Sequence, residues 1–239
     1  MADSREKYYT HLILDGFGTL EDAATKLRQS KDERVKKYFQ DGETKEVKLR
    51  TRFLTIVVED GLLHGSVKFE TAEEIVDIDD NLVIQPKAHL VKFFISLQPR
   101  PHLIILGDKH LARIFSRIVS RIFFNDDSMR TPRVKLTDGQ IIRFLEQNRC
   151  VLKGAYWSTV MDGVSTIGAL GSNIQKPIEA MALISKYLAE HKAIKPLLLD
   201  YNWTMWISSK TGVLYCLDSH NPTDFVEFIQ QRILPLLRV

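Results

Sequence analysis

Short apolar runs with β-strand character recur along the chain, and glycine, proline and aspartate separate them. At two places, two such runs are followed by a segment whose apolar residues recur at the 3.6-residue period of an amphipathic helix. The first of these strand–turn–strand–helix units spans Phe93–Phe124, and the second spans Met205–Leu237. Each helix has a suitable N-cap residue, Asp108 in the first unit and Asn221, followed by proline, in the second.

An Asp-Gly pair between β-rich runs precedes each unit, Asp60-Gly61 in the first case and Asp162-Gly163 in the second. This dipeptide is a strong short-range signal for a β-hairpin. The recurrence of hairpin, strand pair and helix predicts two divergent duplicated halves. The alternative is that a common α+β sequence pattern occurs twice by chance. Hairpins outnumber crossover units, so the predicted fold class is α+β with a mainly antiparallel sheet and covering helices.

The predicted organisation has four parts. An N-terminal strand and charged helix occupy 1–50, the first α+β half occupies 51–125, and the second half occupies 137–239. A polar stretch that is rich in turn-forming residues connects the two halves over 126–136.

In the N-terminal part, a helix is predicted from the N-cap Thr19 to Phe39, and Asp41-Gly42 would end it. The charged segment that follows, 43–52, is either a loop or the start of a strand. That strand would continue through the apolar run that ends at Val58.

Further elements are predicted between the Asp60-Gly61 hairpin and the first unit, and in the second half of the chain. A capping-box pattern predicts a short helix over Thr71–Ile78, and Pro86 is expected to end a short strand over Leu82–Ile84. In the second half, a helix is predicted over Pro177–Glu190, followed by a brief strand over Pro196–Leu199.

Positive charge is concentrated in one part of the sequence. The formal net charge of the chain is +3, whereas 26–52 contain ten lysines and arginines against five acidic residues. That segment alone carries +5, which leaves the remainder of the chain slightly negative. A localised basic segment of this kind is typical of a surface that attracts phosphates.

A second basic feature lies on the helix of the first unit. Four cations follow one another at steps of four residues, so they form one stripe along a helical face. Such a stripe can follow a phosphate backbone, although a solvated helix face would have the same pattern. The residues predicted to bind nucleic acid are Lys109, Arg113, Arg117, Arg121, Lys36, Lys37, Lys48, Arg50 and Arg52.

Residues 13–20 read Ile-Leu-Asp-Gly-Phe-Gly-Thr-Leu, and this run resembles the first motif of haloacid-dehalogenase-type hydrolases. The resemblance implies that Asp15 would be the carboxylate nucleophile. Phosphatases of that family carry a second aspartate two positions later, where this chain has Phe17. The family also requires an acidic pair downstream, and no partner follows Asp108 at the family spacing. These departures favour a structural role for Asp15.

Other chemical sites have weaker support. Cys150 with Asp218 and His220 could form a thiol–imidazole arrangement, but nothing in the sequence brings these residues together. The two cysteines do not make a disulfide framework, and the seven histidines have no metal-ligand spacing. There is no glycine-rich phosphate loop. No catalytic residue, metal or cofactor is therefore predicted.

The sequence thus predicts a non-enzymatic subunit that associates with nucleic acid or assembles into a complex with a protein partner. The alternatives are a scaffold that binds only protein and a hydrolase that uses Asp15. No apolar run approaches the roughly 18 residues that a membrane span needs, and the N-terminus lacks an apolar signal core. A cytoplasmic or nuclear protein that is neither secreted nor membrane-bound is expected.

Overall fold

The computed structural model describes residues 7–13, 18–40, 43–76, 82–126, 131–159, 165–174, 188–209 and 213–237. The chain forms two compact units, each assembled from separate stretches of sequence. We call Leu12–Leu97 with Pro101–Pro132 the central unit, and Met1–His11, Gln98–Arg100 and Arg133–Val239 the terminal unit. None of the helices in the described ranges has both the length and the apolar content needed to cross a membrane.

The central unit is an antiparallel sheet with two helices. Its strands pair in chain order. They are β2 (Asp32–Gln40), β3 (Glu43–Glu59), β4 (Leu62–Val76), β5 (Leu82–Ser96) and β6 (His102–Leu106), and the helices are α1 (Leu20–Gln29) and α2 (Lys109–Phe124). The two helices contact each other, and Lys26 Nζ of α1 donates a hydrogen bond to the carbonyl of Phe123 at 3.0 Å.

The strand register gives the central sheet two distinct faces, because successive side chains point to opposite sides. On one face, the rings of Phe53, Phe69 and Phe93 surround Phe115 of α2 at centroid distances of 6.2, 6.2 and 5.1 Å. We call this side the helix face and the other side the open face. Val35 and Leu90 alternate with helix-face residues, and their side chains on the open face are 48% and 63% exposed.

The terminal unit is a second antiparallel arrangement, with strand order β1-β11-β10-β9-β7-β8. Its strands are β1 (Tyr8–Leu12), β7 (Cys150–Thr159), β8 (Thr166–Leu170), β9 (Leu188–Leu198), β10 (Trp203–Ser208) and β11 (Val213–Cys216). Its helices are α3 (Asp138–Gln147) and α4 (Pro222–Phe228), and α4 continues as a π turn (Ile229–Ile233) and a 3-10 turn (Leu234–Leu237). An aromatic core holds the unit together, with Tyr8 against Phe225 at 4.4 Å and Phe144 against Phe228 at 6.3 Å between ring centroids.

The predicted α+β class with an antiparallel sheet is confirmed, and so are the N-caps predicted at Thr19, Asp108 and Asn221. The Asp108 carboxylate accepts from the backbone of His110 and Leu111, and Asn221 caps α4. Thr19 forms a complete capping box with Asp22 at the start of α1. These caps are local interactions, which explains why the sequence alone could predict them.

The two units share some of the features that the predicted duplication requires and differ in others. The central unit contains β5, β6 and α2 in sequence, and the terminal unit contains β10, β11 and α4. Asp60-Gly61 joins β3 to β4, whereas Asp162-Gly163 lies outside the described residues. The second strand of the first hairpin pairs with the next strand, β5, but β9 pairs with β7 and not with β8. Duplication therefore stays a prediction.

The predicted helix from Thr19 to Phe39 is wrong beyond Gln29. Ser30 ends α1 by donating its backbone and hydroxyl groups to the carbonyl of Leu27, and β2 begins at Asp32. The whole of β2 pairs with β3, so tertiary pairing overrides the helical pattern of this charged segment. Of the two alternatives for 43–52, the strand is confirmed.

The helix predicted over Thr71–Ile78 is also wrong, because β4 continues to Val76 with β5 as its partner. The Thr71 hydroxyl bonds His89 Nε2 on β5 at 2.8 Å instead of capping a helix. Pro86 does not break β5. On its other side, β5 pairs with β6 only from Lys92 onward, so Pro86 lies where one edge of the strand is unpaired and its missing N–H is tolerated.

The C-terminal half differs from the prediction at one more place. Leu188–Glu190, predicted as the end of a helix, is the start of strand β9. The rest of that predicted helix, 177–187, lies outside the described residues. The brief strand predicted at Pro196–Leu199 is the last part of β9, which pairs with both β7 and β10.

Candidate nucleic-acid interface

Helix α2 separates its apolar and cationic residues onto opposite sides. Ala112, Phe115, Ile118 and Val119 are fully buried against the sheet. Lys109, Arg113 and Arg117 are exposed, as the four-residue spacing predicts for a solvent-facing stripe. Within the described part of the chain, none of these three side chains forms an ion pair. Among the described residues, the first three positions of the stripe thus carry uncompensated positive charge.

Arg121, the fourth cation of the stripe, is in a different situation. Its guanidinium makes two hydrogen bonds to the Asp32 carboxylate of β2, Nε to Oδ1 at 3.3 Å and Nη2 to Oδ2 at 3.1 Å. The side chains are only 27% and 12% exposed. The same carboxylate lies 3.5 Å from Arg34 Nε and accepts a hydrogen bond from the Thr51 hydroxyl at 3.0 Å. One carboxylate therefore balances two guanidinium groups.

These arginines border a surface depression of about 390 Å³, lined by Arg34, Ile114, Arg117 and Arg121. Arg34 is held in place because its Nη2 donates to the carbonyl of Glu70 at 2.7 Å. A second depression, of about 370 Å³, lies beyond Arg121 and includes Lys26, Lys31 and Asp32 in its lining. Three guanidinium groups line the first depression, and Asp32 contacts two of them, those of Arg34 and Arg121. A lining with this excess of cationic groups favours an anion.

The strand register divides the predicted basic segment between two sides of the sheet. Lys36 follows Arg34 on the helix face, the side that α2 covers. The other predicted residues alternate with these and lie on the open face: Lys37, Lys48, Arg50 and Arg52. The stripe and the N-terminal basic segment therefore adjoin on the helix face at β2, and also at Lys26 of α1, which lines the second depression together with Arg121.

Acidic neighbours neutralise part of the open face. Lys37 Nζ lies 3.1 Å from the Glu46 carboxylate, and Lys48 Nζ lies 3.8 Å from that of Glu33. All four side chains are at least 49% exposed, so these pairs contribute little to stability but do reduce the local positive charge.

Two cations on the open face belong to this surface but are not in the predicted set. Lys68 of β4 is the direct register partner of Arg52, and Lys92 of β5 is the partner of Ser66. Arg52, Lys68 and Lys92 are exposed and have no ion-pair partner among the residues that the structure describes. Strand alternation places each lysine on one face or the other, but the sequence alone does not give the register that brings them beside Arg52.

The alternative thiol site does not form. The Tyr8 hydroxyl and His220 Nε2 are 2.7 Å apart, and His220 Nδ1 donates to the carbonyl of Asp218 at 3.0 Å. Nε2 is then an acceptor and is occupied by Tyr8. The Cys150 thiol instead points to the carbonyl of Leu145 at 3.8 Å, and burial raises the pKa of that thiol. A protonated, partly buried thiol is a poor nucleophile.

Asp15 and Phe17, on which the hydrolase resemblance depends, lie outside the described residues. The closest pairing of acid and imidazole in the described ranges is Asp138 with His191, at the start of α3. Burial raises the pKa of Asp138, but the hydrogen bonds from the backbone and ring of His191 outweigh it and hold that pKa below its usual value. No group of three or more potential metal ligands occurs in the described part of the chain.

Comparison with known proteins gives no family: no protein-family model matches this chain, and no curated protein matches it.

Proposed function

We propose that this protein binds nucleic-acid phosphates through the helix face of the central unit, along α2 and the start of β2. One observation carries the proposal: Arg113 and Arg117 are exposed on one side of α2, and Arg117 borders a depression that it shares with Arg34 and Arg121. Among the described residues, the lining of that depression includes no carboxylate, and Asp32, which lies beside it, already pairs with Arg34 and Arg121.

The spacing and chemistry of the stripe fit a phosphate backbone. Residues four apart on a helix are separated by about 6 Å along the axis, so successive arginines can reach successive phosphates. Guanidinium groups bind phosphate oxygens through two parallel hydrogen bonds. Contacts of this kind position a nucleic acid without reading its bases, so binding is expected to be insensitive to sequence.

The open face of the same unit supports binding to a polyanion. Arg52 and Lys68 are direct cross-strand partners, and like charges in that position destabilise a sheet. Bound phosphate would relieve this repulsion. Lys92 on the next strand extends the positive area.

A protein-binding role as a complex subunit is the second candidate, and exposed apolar side chains on the open face favour it. Phe39 is 75% exposed, and Val35 and Leu90 are 48% and 63% exposed. Large apolar side chains at this level of exposure are enriched where proteins associate. Phe39 lies near the β2–β3 hairpin, and Leu90 lies on β5, so the exposed residues are spread over several strands.

Fluorescence anisotropy with a labelled duplex, at salt concentrations between about 50 and 200 mM, tests the nucleic-acid proposal. Each phosphate contact on duplex DNA contributes about −0.9 to the slope of log K against log salt. The single variants Arg113→Gln and Arg117→Gln should each flatten that slope by about 0.9, and the double variant by about 1.8. Unrelated duplex sequences should lose affinity equally.

Arg143→Gln is a matched control, because Arg143 is an exposed arginine on α3 of the terminal unit. Glutamine keeps the helix propensity in every variant, so circular dichroism should stay unchanged. An unchanged slope in the Arg113→Gln/Arg117→Gln double variant would exclude the stripe. Absence of binding even at low salt would reject the nucleic-acid proposal and favour the protein-binding role.

We further propose that the two units arose by duplication and that the protein acts in the cytoplasm or nucleus. The shared order of strand pair and helix in Phe93–Phe124 and Met205–Leu237 supports the first point. An experimental structure in which these two segments do not superpose would contradict it. The two free cysteines, Cys150 and Cys216, support a reducing compartment, which fractionation of cells expressing the tagged protein would test.

A further inference from the structure

Five residues form a continuous row across the sheet of the terminal unit. Trp206 of β10 is the register partner of Tyr215 on β11, and the β9–β10 register places Lys195 on the other side of Trp206. Lys195 is in turn the partner of Gly154 on β7, which pairs with Leu170 on β8. The row crosses five strands and contains no acidic residue.

This row lies on the side of the sheet that faces away from the core. Met205, Ile207 and Ile194 alternate with the row residues and are fully buried on the core side. Trp206, Tyr215 and Lys195 are each partly exposed, and Leu170 is 66% exposed. The terminal unit thus has an accessible sheet surface that carries aromatic rings.

A third ring, Tyr156, extends the surface from the neighbouring position on β7. Its centroid lies 5.3 Å from that of Trp206, and Trp206 lies 6.1 Å from Tyr215 with only 19° between the ring planes. The partner of Tyr156 on β9 is Ala193, whose small side chain leaves room for the tyrosine and tryptophan rings to meet diagonally. We call Tyr156, Trp206 and Tyr215 the aromatic platform.

Two glycines allow the side chains here to lie close to the sheet. A Cβ atom at Gly168, the partner of Tyr156 on β8, would lie only 2.6 Å from the tyrosine ring. The ring therefore lies close over the backbone of β8, and Tyr156 is partly exposed. At Gly154, a Cβ atom would lie 2.6 Å from Leu170 Cδ2 and 3.3 Å from Lys195 Cβ. A side chain at either glycine would displace the platform or its neighbours.

We propose that the aromatic platform binds the unpaired bases of a single-stranded nucleic acid, with Lys195 contacting its phosphates. Aromatic rings on an open antiparallel sheet are a recurring way to stack splayed-out bases. A lysine between the rings supplies charge of the right sign, and no acid in the row opposes it. Paired bases are enclosed in their own stack, so duplex is not expected to contact the rings.

This site is distinct from the α2 stripe, since it belongs to the other unit and uses stacking as its main interaction. The stripe should bind single strands and duplex alike through phosphate, whereas the platform discriminates between them. A negative result for the stripe therefore does not contradict the platform, and the reverse is also true. Separate variants test the two sites.

The test uses the full chain and a labelled oligonucleotide of about 12 unpaired nucleotides, with a duplex of the same sequence for comparison. Trp206→Leu should weaken single-strand binding by about 10-fold or more and leave duplex binding unchanged. Lys195→Gln should reduce the salt slope for single strands by about 0.7. Leu170→Ala is the matched control, because it removes an exposed residue from the same row without removing a ring.

Intrinsic fluorescence gives a second readout that does not depend on a variant. The chain has three tryptophans, and stacking of a base on Trp206 should quench part of their emission when the single strand is added. Trp206→Phe keeps an aromatic ring and should retain most of the affinity but lose that quenching. The Arg113→Gln/Arg117→Gln double variant should keep the quenching at saturation.

Two results would overturn the proposal. One is equal affinity of wild type and Trp206→Leu for single strands in proteins with identical circular dichroism, which would leave the rings as cross-strand packing only. The other is that a saturating single strand does not quench the tryptophan emission of the wild-type protein. This second result would overturn the proposal even if the Trp206→Leu variant does not fold.

Discussion

Asp32 on β2 and Arg121 on α2 are joined by two hydrogen bonds, at 3.3 and 3.1 Å, and the pair is mostly shielded from solvent. The pair ties the first residue of the edge strand to the last turn of the helix. It also reduces the number of stripe cations that are available to a ligand, because Asp32 already compensates the charge of Arg121, the fourth residue of the stripe. The charge available to a ligand comes from Lys109, Arg113 and Arg117, which are exposed and have no ion-pair partner among the described residues.

Asp32→Asn is expected to weaken the fold and to strengthen polyanion binding. The change removes the partner of two guanidinium groups in a shielded position, so the free energy of unfolding should fall by about 2 kcal/mol. Because Arg34 and Arg121 lose their acidic neighbour, affinity for duplex at low salt should rise. Urea unfolding and anisotropy measure the two effects.

Glu33→Gln is the control for this variant, since Glu33 lies on the same strand but faces the other side of the sheet. Its ion pair with Lys48 is exposed, so its loss should change stability by less than about 1 kcal/mol. Weaker duplex binding in Asp32→Asn would contradict the assignment of Asp32 as the carboxylate that limits the positive charge of this site.

His89 should make the stability of the central unit depend on pH. Burial lowers its pKa below the usual value of about 6.5, and Lys87 lowers it further, while Asp108 and Glu73 act in the opposite direction. The unfolded chain then takes up a proton more readily than the folded one, so stability falls as the pH drops from about 6.5 through the folded pKa.

His89→Gln can keep a hydrogen bond to the Thr71 hydroxyl and removes the titrating group. Urea unfolding of both proteins from about pH 7.5 to pH 5 should show a smaller loss of stability in the variant. Parallel pH profiles for the two proteins would show that this histidine does not contribute.

Gly65→Ala should disrupt the pairing of β3 with β4. A Cβ atom at this position would lie 2.4 Å from the carbonyl oxygen of Thr55 and 3.0 Å from the ring of Phe93. The strands would have to separate, which typically costs about 1–3 kcal/mol. Thermal unfolding measures this loss.

Gly139→Ala is the natural comparison, because apart from its chain neighbours and the backbone of its own helix nothing lies within 4 Å of the Cβ position at this glycine of α3. Alanine there should be neutral or stabilising by up to about 1 kcal/mol. An equal loss of stability in both variants would show that the close approach at Gly65 is not responsible.

Both cysteines should react slowly with thiol reagents in the folded protein. Burial raises the pKa of Cys150 and of Cys216, so little thiolate is present at about pH 8. Cys216 is 2% exposed and should react after Cys150, which is only partly buried. Timed labelling with and without denaturant measures this order, and Cys150→Ser identifies the faster thiol. A thiol that reacts within seconds in the native protein would indicate an activated nucleophile.

The elements that sequence could predict are those set by neighbouring residues. The cap at Asp108 and the apolar spacing of α2 lie within one helix, and the Asp60-Gly61 hairpin joins adjacent strands. In contrast, β2 and the second part of β4 become strands because distant residues pair with them, as Thr71 does with Lys87. Their local capping and helical patterns are real but weaker than a continuous strand partner.

The same distinction applies to the candidate sites. The α2 stripe is visible from a four-residue spacing, and the structure keeps its residues on one side of the helix. The open-face cluster requires the register that brings Lys68 beside Arg52. The aromatic platform requires four strands, β7, β9, β10 and β11, to be aligned so that Tyr156, Trp206 and Tyr215 meet. Strand alternation tells which residues of one strand share a face, but the sequence does not tell which strands are neighbours.

The pairing of Tyr8 with Leu214 has a consequence for biosynthesis. Strand β1 is synthesised before its partner β11, and the two paired residues are separated by 214 − 8 = 206 positions of the sequence. At about 5–20 residues per second, this delay is on the order of 10–40 s, during which the Tyr8 ring lacks the Phe225 contact that buries it. The central unit can form first from strands that pair in chain order, whereas β1 must wait for β11 before the terminal unit covers the Tyr8 ring.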